Sequence, residues 1–67
     1  MYQTKYRVAY YSVDYSGVEL CFEYEEVDTA FAAQVRRDNF NDRGDDEYVA
    51  RAFRPDGSEM SNAFDVV

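Results

Sequence analysis

Glu19, Glu23 and Glu25 recur at two- and four-residue spacing in the stretch VELCFEYEE. On a β-strand such carboxylates project from one face, with neighbours two residues apart about 6.8 Å from each other, a repeat comparable to that of successive phosphates along a nucleic-acid strand. Asp42, Asp45, Asp46 and Glu47 form a second cluster in NDRGDDEY, and Glu26 and Asp28 form a third. An array of this kind can occupy a groove lined by Lys and Arg, releasing counterions from it much as DNA would. The plainer reading, a charged surface that keeps a small protein soluble, accounts for the same residues.

Other chemistries fit less well. Arg43-Gly44-Asp45 spells an adhesion triplet, but a three-residue match is common by chance and nothing here indicates secretion. Tested as a calcium loop with Gly44 at the sixth position, the stretch places Asn39, Asn41 and Arg43 at the first, third and fifth positions and Ala50 at the twelfth. Arg43 and Ala50 cannot supply the required carboxylates, which leaves only irregular cation binding by the acidic loop. The chain has no histidine, so Ser-His and Cys-His nucleophile pairs are excluded. Cys21 has Glu19 and Glu23 as neighbours, and nearby negative charge disfavours a thiolate. Paired acids such as Glu25 and Glu26 have the types for acid and base work, yet nothing singles them out, and no phosphate-cradling Gly-rich loop is present. The expectation is a protein without enzymatic activity, cofactor or metal.

Composition narrows the class. A chain of 67 residues makes one domain, 1–67, of a size that buries only about 60% of its unfolded surface. A lone cysteine allows no internal disulfide. Fourteen acids against seven bases give a formal charge of −7, which repels nucleic acid and anionic membranes and attracts basic proteins. An apolar content of 46%, with seven Tyr and five Phe, argues for a folded chain. No apolar run approaches the roughly 20 residues that span a bilayer, and the first residues contain no apolar signal core, so the cytoplasm is the expected compartment.

Two alternating stretches begin the chain. Tyr6, Val8 and Tyr10, then Val18, Leu20, Phe22 and Tyr24, occupy even positions, the period of half-buried strands. A three-residue loop of Tyr15, Ser16 and Gly17 between them predicts the register Ser12 to Leu20, Tyr10 to Phe22, Val8 to Tyr24 and Arg7 to Glu25. A helix follows over TAFAAQVRRD, capped by Asp28, presenting Phe31 and Val35 as its apolar stripe, with Arg36 and Arg37 in the last turn and its end near Asp38 to Phe40. NDRGDD reads as a loop. Pro55, Asp56 and Gly57 make a second three-residue turn, predicting the pairs Arg54 to Ser58, Ala52 to Met60, Ala50 to Asn62 and Tyr48 to Phe64. The expected fold is therefore α+β, ββαββ, a four-stranded antiparallel sheet with one helix packed on one face.

One helix leaves the other sheet face bare, and Tyr11, Val49 and Phe53 on that face suggest a protein interface or a homodimer. Length, acidity, lack of enzymatic residues and an α+β pattern together resemble the small acidic phage-encoded anti-CRISPR proteins of the DNA-mimic type. The resemblance covers the whole chain in character and rests on no shared motif. It implies a basic nucleic-acid-binding partner, a subunit of a type I CRISPR effector complex in the bacterial cytoplasm, whose access to DNA is blocked. The expected partner-binding residues are Glu19, Glu23, Glu25, Glu26, Asp28, Asp42, Asp45, Asp46 and Glu47, with Tyr11 and Phe53 as apolar anchors. The alternative expectation is a small structural or oligomerising module using the open sheet face.

Overall fold

The computed structural model describes residues 5–44 and 46–61. Strand β1 (Tyr6–Val13), strand β2 (Glu19–Val27), helix α1 (Ala30–Asn41) and strand β3 (Tyr48–Phe53) follow in that order. The sheet is antiparallel with β1 in the centre, in the order β2-β1-β3. The α+β class is as expected, and among the described residues the sheet has three strands, not four.

Both hairpin turns form as their residues predict. Asp14 donates its N–H to Val18 O at 3.1 Å and Arg54 donates to Ser58 O at 2.8 Å, closing the two three-residue loops. Gly17 (φ 87°) and Gly57 (φ 92°) hold the positive φ such loops need, which L side chains adopt only at a cost. Asp14 and Asp56 each stiffen their loop by accepting from the serine two residues on, through both its N–H and its hydroxyl. These bonds hold both carboxyls below the usual aspartate range.

The first hairpin keeps the predicted register only near its loop. Ser12 pairs with Leu20 and Tyr11 with Cys21, but Tyr10 then pairs with Glu23, leaving Phe22 as the extra residue of a β-bulge. Beyond it Ala9 pairs with Tyr24, Val8 with Glu25 and Arg7 with Glu26, so the pairs predicted for Tyr10, Val8 and Arg7 are each displaced by one. The displacement turns Tyr24 away from the helix and turns Glu25 and Val27 toward it.

Helix α1 is capped by Thr29, not Asp28: Thr29 has extended backbone (φ −132°, ψ 155°) and its hydroxyl accepts from Ala32 N–H at 3.0 Å. Asp28 instead pairs with Lys5. The helix ends at Asn41, one residue past the expected window, which puts Arg36 and Arg37 before the last turn. Its inner stripe is Ala30, Ala33, Arg37 and Phe40, while Phe31 and Val35 point outward, 63% and 38% exposed. The sheet and the segment after the second turn supply the volume: Val8, Met60 and the half-buried Tyr6 and Tyr10 fill the core, and the helix contributes small residues.

The fourth strand, expected over 58–64, does not form within the described residues. Past the second turn there is a single bridge, Phe53 to Glu59, and one further bond from Met60 N–H to Ala52 O at 2.8 Å. The reason lies at the next ladder position. Asn41, at the end of α1, donates its side-chain amide to Ala50 O at 3.0 Å and accepts from Ala50 N–H at 2.8 Å, taking the backbone groups that Asn62 was expected to meet. Arg37, 9% exposed, donates to Met60 O at 2.8 Å and turns that carbonyl toward the helix. Asn62 and Phe64, with the pairs predicted for them, lie outside the described residues.

Asn41→Ala is expected to leave both backbone groups of the buried Ala50 without partners, at a cost of about 1–3 kcal/mol. Urea denaturation of the two proteins checks this, and an unchanged midpoint would show that another group satisfies that edge.

Candidate protein-binding surface

The predicted acidic array is not a continuous one. Glu19 lies on the face away from the helix, where Arg51 donates to both its oxygens at 2.8 and 2.7 Å and reaches Glu59 at 2.9 Å. These bonds hold the Glu19 carboxyl below its ordinary value and raise Arg51 above its own. Glu25 lies on the helix face, bound to Arg36 at 2.8 Å. The bulge between them is what breaks the expected common face of Glu19, Glu23 and Glu25. Glu26 stands 3.9 Å from Arg7, and Asp28 is held by Lys5, whose hydrogen bond lowers the Asp28 carboxyl and raises the Lys5 ammonium. Glu19, Glu25, Glu26 and Asp28 are thus engaged inside the molecule.

Glu23, Asp42, Asp46 and Glu47 are exposed, while Asp45 lies outside the described residues. Glu23 sits at the bulge. The other three belong to the connection from α1 to β3, where Asp42 closes the helix by donating to Asp38 O at 2.8 Å and Glu47 O accepts from Val13 N–H at 2.8 Å. Of the two expected apolar anchors, Tyr11 and Phe53 are on the sheet face away from the helix as predicted, but both are half-buried.

The exposed large apolar side chains that do cluster lie on the other face, at the end of the sheet nearest the first turn. Leu20 is 63% exposed, Phe22 55% and Tyr48 42%. Leu20 and Tyr48 both pair with Ser12, whose short side chain leaves a gap between them. Phe22 meets Tyr48 edge to face with ring centroids 5.9 Å apart, and Phe40 packs on Tyr10 at 4.8 Å. Phe22, Phe40, Tyr48 and Arg43 line a shallow concavity of about 340 Å³, with the Arg43 guanidinium over the Phe40 ring. Leu20 and Phe22 are predicted by alternation to lie under the helix. They lie beside it because a helix about 10 Å across covers roughly two strands spaced about 4.8 Å apart. Here those two are β3 and β1. The mark of this in the sequence is the count of elements: one helix against a wider sheet must leave an apolar strand face uncovered.

The patch borders the acidic connection at both ends, since Phe40 precedes it and Tyr48 follows it. Along its inner side, the Tyr10 hydroxyl donates to Glu25 at 2.5 Å, linking sheet, helix and edge strand through Arg36. Among the described residues no cluster of three or more Cys, Asp or Glu is placed to hold a metal ion, and no helix is long and apolar enough to cross a membrane. Cys21 is a free, exposed thiol. No family model, curated protein or solved structure matches the chain.

Burial, then the bond to Glu25, push the Tyr10 phenol up to about 12. The folded chain therefore favours the neutral phenol. Its stabilising contribution is complete below the ordinary tyrosine value near pH 10 and is lost as pH rises toward about 12. Ultraviolet titration is expected to show a late-ionising tyrosine that Tyr10→Phe abolishes. Glu25→Gln should move it only part of the way back, because burial is the larger cause.

Proposed function

We propose that this protein is a non-enzymatic binder of a basic, nucleic-acid-binding protein, and that it acts by obstructing that partner's access to DNA. The observation that carries the reading is the cluster of exposed Leu20, Phe22 and Tyr48 beside the half-buried Phe40, bordered by the acidic connection and by Glu23. Aromatic side chains in a small hollow are the usual anchors of protein interfaces. The surrounding charge selects the partner: the chain carries −7, and its 42–47 connection holds four carboxylates against one arginine. Such a surface attracts Lys- and Arg-lined grooves at long range and disfavours acidic neighbours. Grooves of that kind belong above all to proteins that hold nucleic acid, and the resemblance to small acidic anti-CRISPR proteins makes a CRISPR effector subunit the partner to try first.

In this reading the apolar cluster supplies most of the affinity, and the carboxylates supply approach rate and choice of partner. The acids of β2 contribute less than their number suggests, because Glu19, Glu25 and Glu26 are already neutralised by Arg51, Arg36 and Arg7. An oligomerising module built on the open sheet face is the weaker alternative, since Tyr11, Val49 and Phe53 there are half-buried and the exposed Tyr24 lies under the Arg7 guanidinium, whereas Leu20, Phe22 and Tyr48 stand exposed together on the other face.

The test is affinity capture of a purified type I effector complex, eluted once with salt and once with duplex DNA. Retention of a subunit that DNA displaces is expected. Phe22→Glu should weaken it by more than about tenfold, the effect of losing a central anchor. Asp42→Lys with Asp46→Lys should slow association and flatten its salt dependence. Capture unaffected by Phe22→Glu would remove the cluster from the interface, and failure to retain any subunit would reject this partner.

A further inference from the structure

The hollow of about 340 Å³ beside the helix is walled by three aromatic rings, Phe22, Phe40 and Tyr48. Phe22 and Tyr48 stand with their ring planes at 77° to one another and their centroids 5.9 Å apart, so the two form a corner and not a stack. Phe40 reaches the hollow from the helix and is backed by Tyr10, 4.8 Å away. Aromatic rings held at steep angles around one space are the arrangement that takes a cation over a ring face.

The molecule already makes such a contact once. The guanidinium of Arg43, which completes the lining, lies 5.4 Å from the Phe40 centroid, inside the roughly 6 Å reach of a cation–π pair. It is placed there by the turn that follows α1, where the Arg43 N–H donates to Phe40 O at 3.4 Å. The two remaining rings stand open, Phe22 at 55% exposure and Tyr48 at 42%. Each has an exposed glutamate as its chain neighbour: Glu23 follows Phe22 in the bulge, and Glu47 precedes Tyr48. A cation that settles on these rings therefore arrives among carboxylates, on a chain of net charge −7.

We propose that the hollow takes an arginine side chain of the basic partner, its guanidinium lying over Phe22 and Tyr48 with Glu23 accepting from its N–H groups. The inference rests on the docking surface described above and names what enters it. Arginine fits better than lysine because its guanidinium is planar and weakly hydrated, so its face can lie on a ring while its N–H groups donate in plane. The volume falls in the range of small-ligand sites, about 300–1,000 Å³. A groove that holds nucleic acid offers such side chains in number, since they contact its phosphates. Arg43 is both the precedent and the competitor: it shows that a guanidinium settles on these rings, and its charge repels a second one.

Ring and amide chemical shifts of the isotope-labelled protein, titrated with acetyl-Gly-Arg-Gly-amide and with its citrulline, lysine and leucine counterparts, test it. The arginine peptide is expected to shift the Phe22, Phe40 and Tyr48 rings in the millimolar range, with the neutral isostere citrulline at least about fivefold weaker. Phe22→Leu keeps an apolar side chain but removes a ring, and should reduce that preference to about twofold or less while the core amides of Val8 and Ala52 stay unmoved. Arg43→Gln should tighten the arginine peptide about threefold, whereas Arg7→Gln, the same change of charge on the opposite face, should not. The proposal is overturned by any counterpart binding within about twofold of the arginine peptide, by an arginine preference that survives Phe22→Leu, by Arg43→Gln binding no tighter than Arg7→Gln, or by unmoved rings at about 20 mM peptide. If the effector complex is not captured while the arginine peptide binds, the partner named above falls and the ligand of the hollow stands. If the complex is captured by a protein with no arginine preference, only the arginine assignment falls.

Discussion

One extra residue in β2 decides how this small protein distributes its side chains. Because Phe22 has no partner on β1, every residue of β2 beyond it changes face relative to a regular ladder. The change brings Val27 into the core and Glu25 within reach of Tyr10 and Arg36. It sends Tyr24 to the opposite face, where Arg7 covers it. Without the bulge, Tyr24 would sit under the helix side and Val27 would face outward. The contact of Arg7 with Tyr24 on the face away from the helix depends on this step.

Much of the fold is legible in the sequence where local chemistry dictates it. The two turns can be read because a glycine closes each three-residue loop at positive φ and an aspartate bonds the serine beside it. The helix and the chain order follow from composition and spacing. The bulge leaves only a faint mark, a change of phase from Val18, Leu20 and Phe22 at even positions to Val27 at an odd one. The glutamates between them alternate acceptably in either register, so periodicity alone does not locate the step.

The candidate sites are less legible, for two physical reasons. Carboxylates identified by type and number turn out to differ by partner, and partners such as Arg51 for Glu19 are 32 residues away in the chain. Apolar residues identified as core turn out to be surface when the helix is narrower than the sheet, as with Leu20 and Phe22. The helix stripe fails for a related reason. Phe31 and Val35 have the right spacing, but Tyr6, Tyr10 and Met60 already fill the space beneath, and the alanine face is the one that fits.

The two margins of the sheet are finished differently. On β3 the outer backbone groups of Ala50 are taken by Asn41 and Ala52 O is taken by Met60 N–H, so a strand added at those positions would break those bonds. On β2 the described residues offer the bulge and a row of glutamates as protection. Growth by strand pairing is therefore one-sided. Two copies meeting through β2 would use up both of those margins, which leaves no second margin of that kind among the described residues.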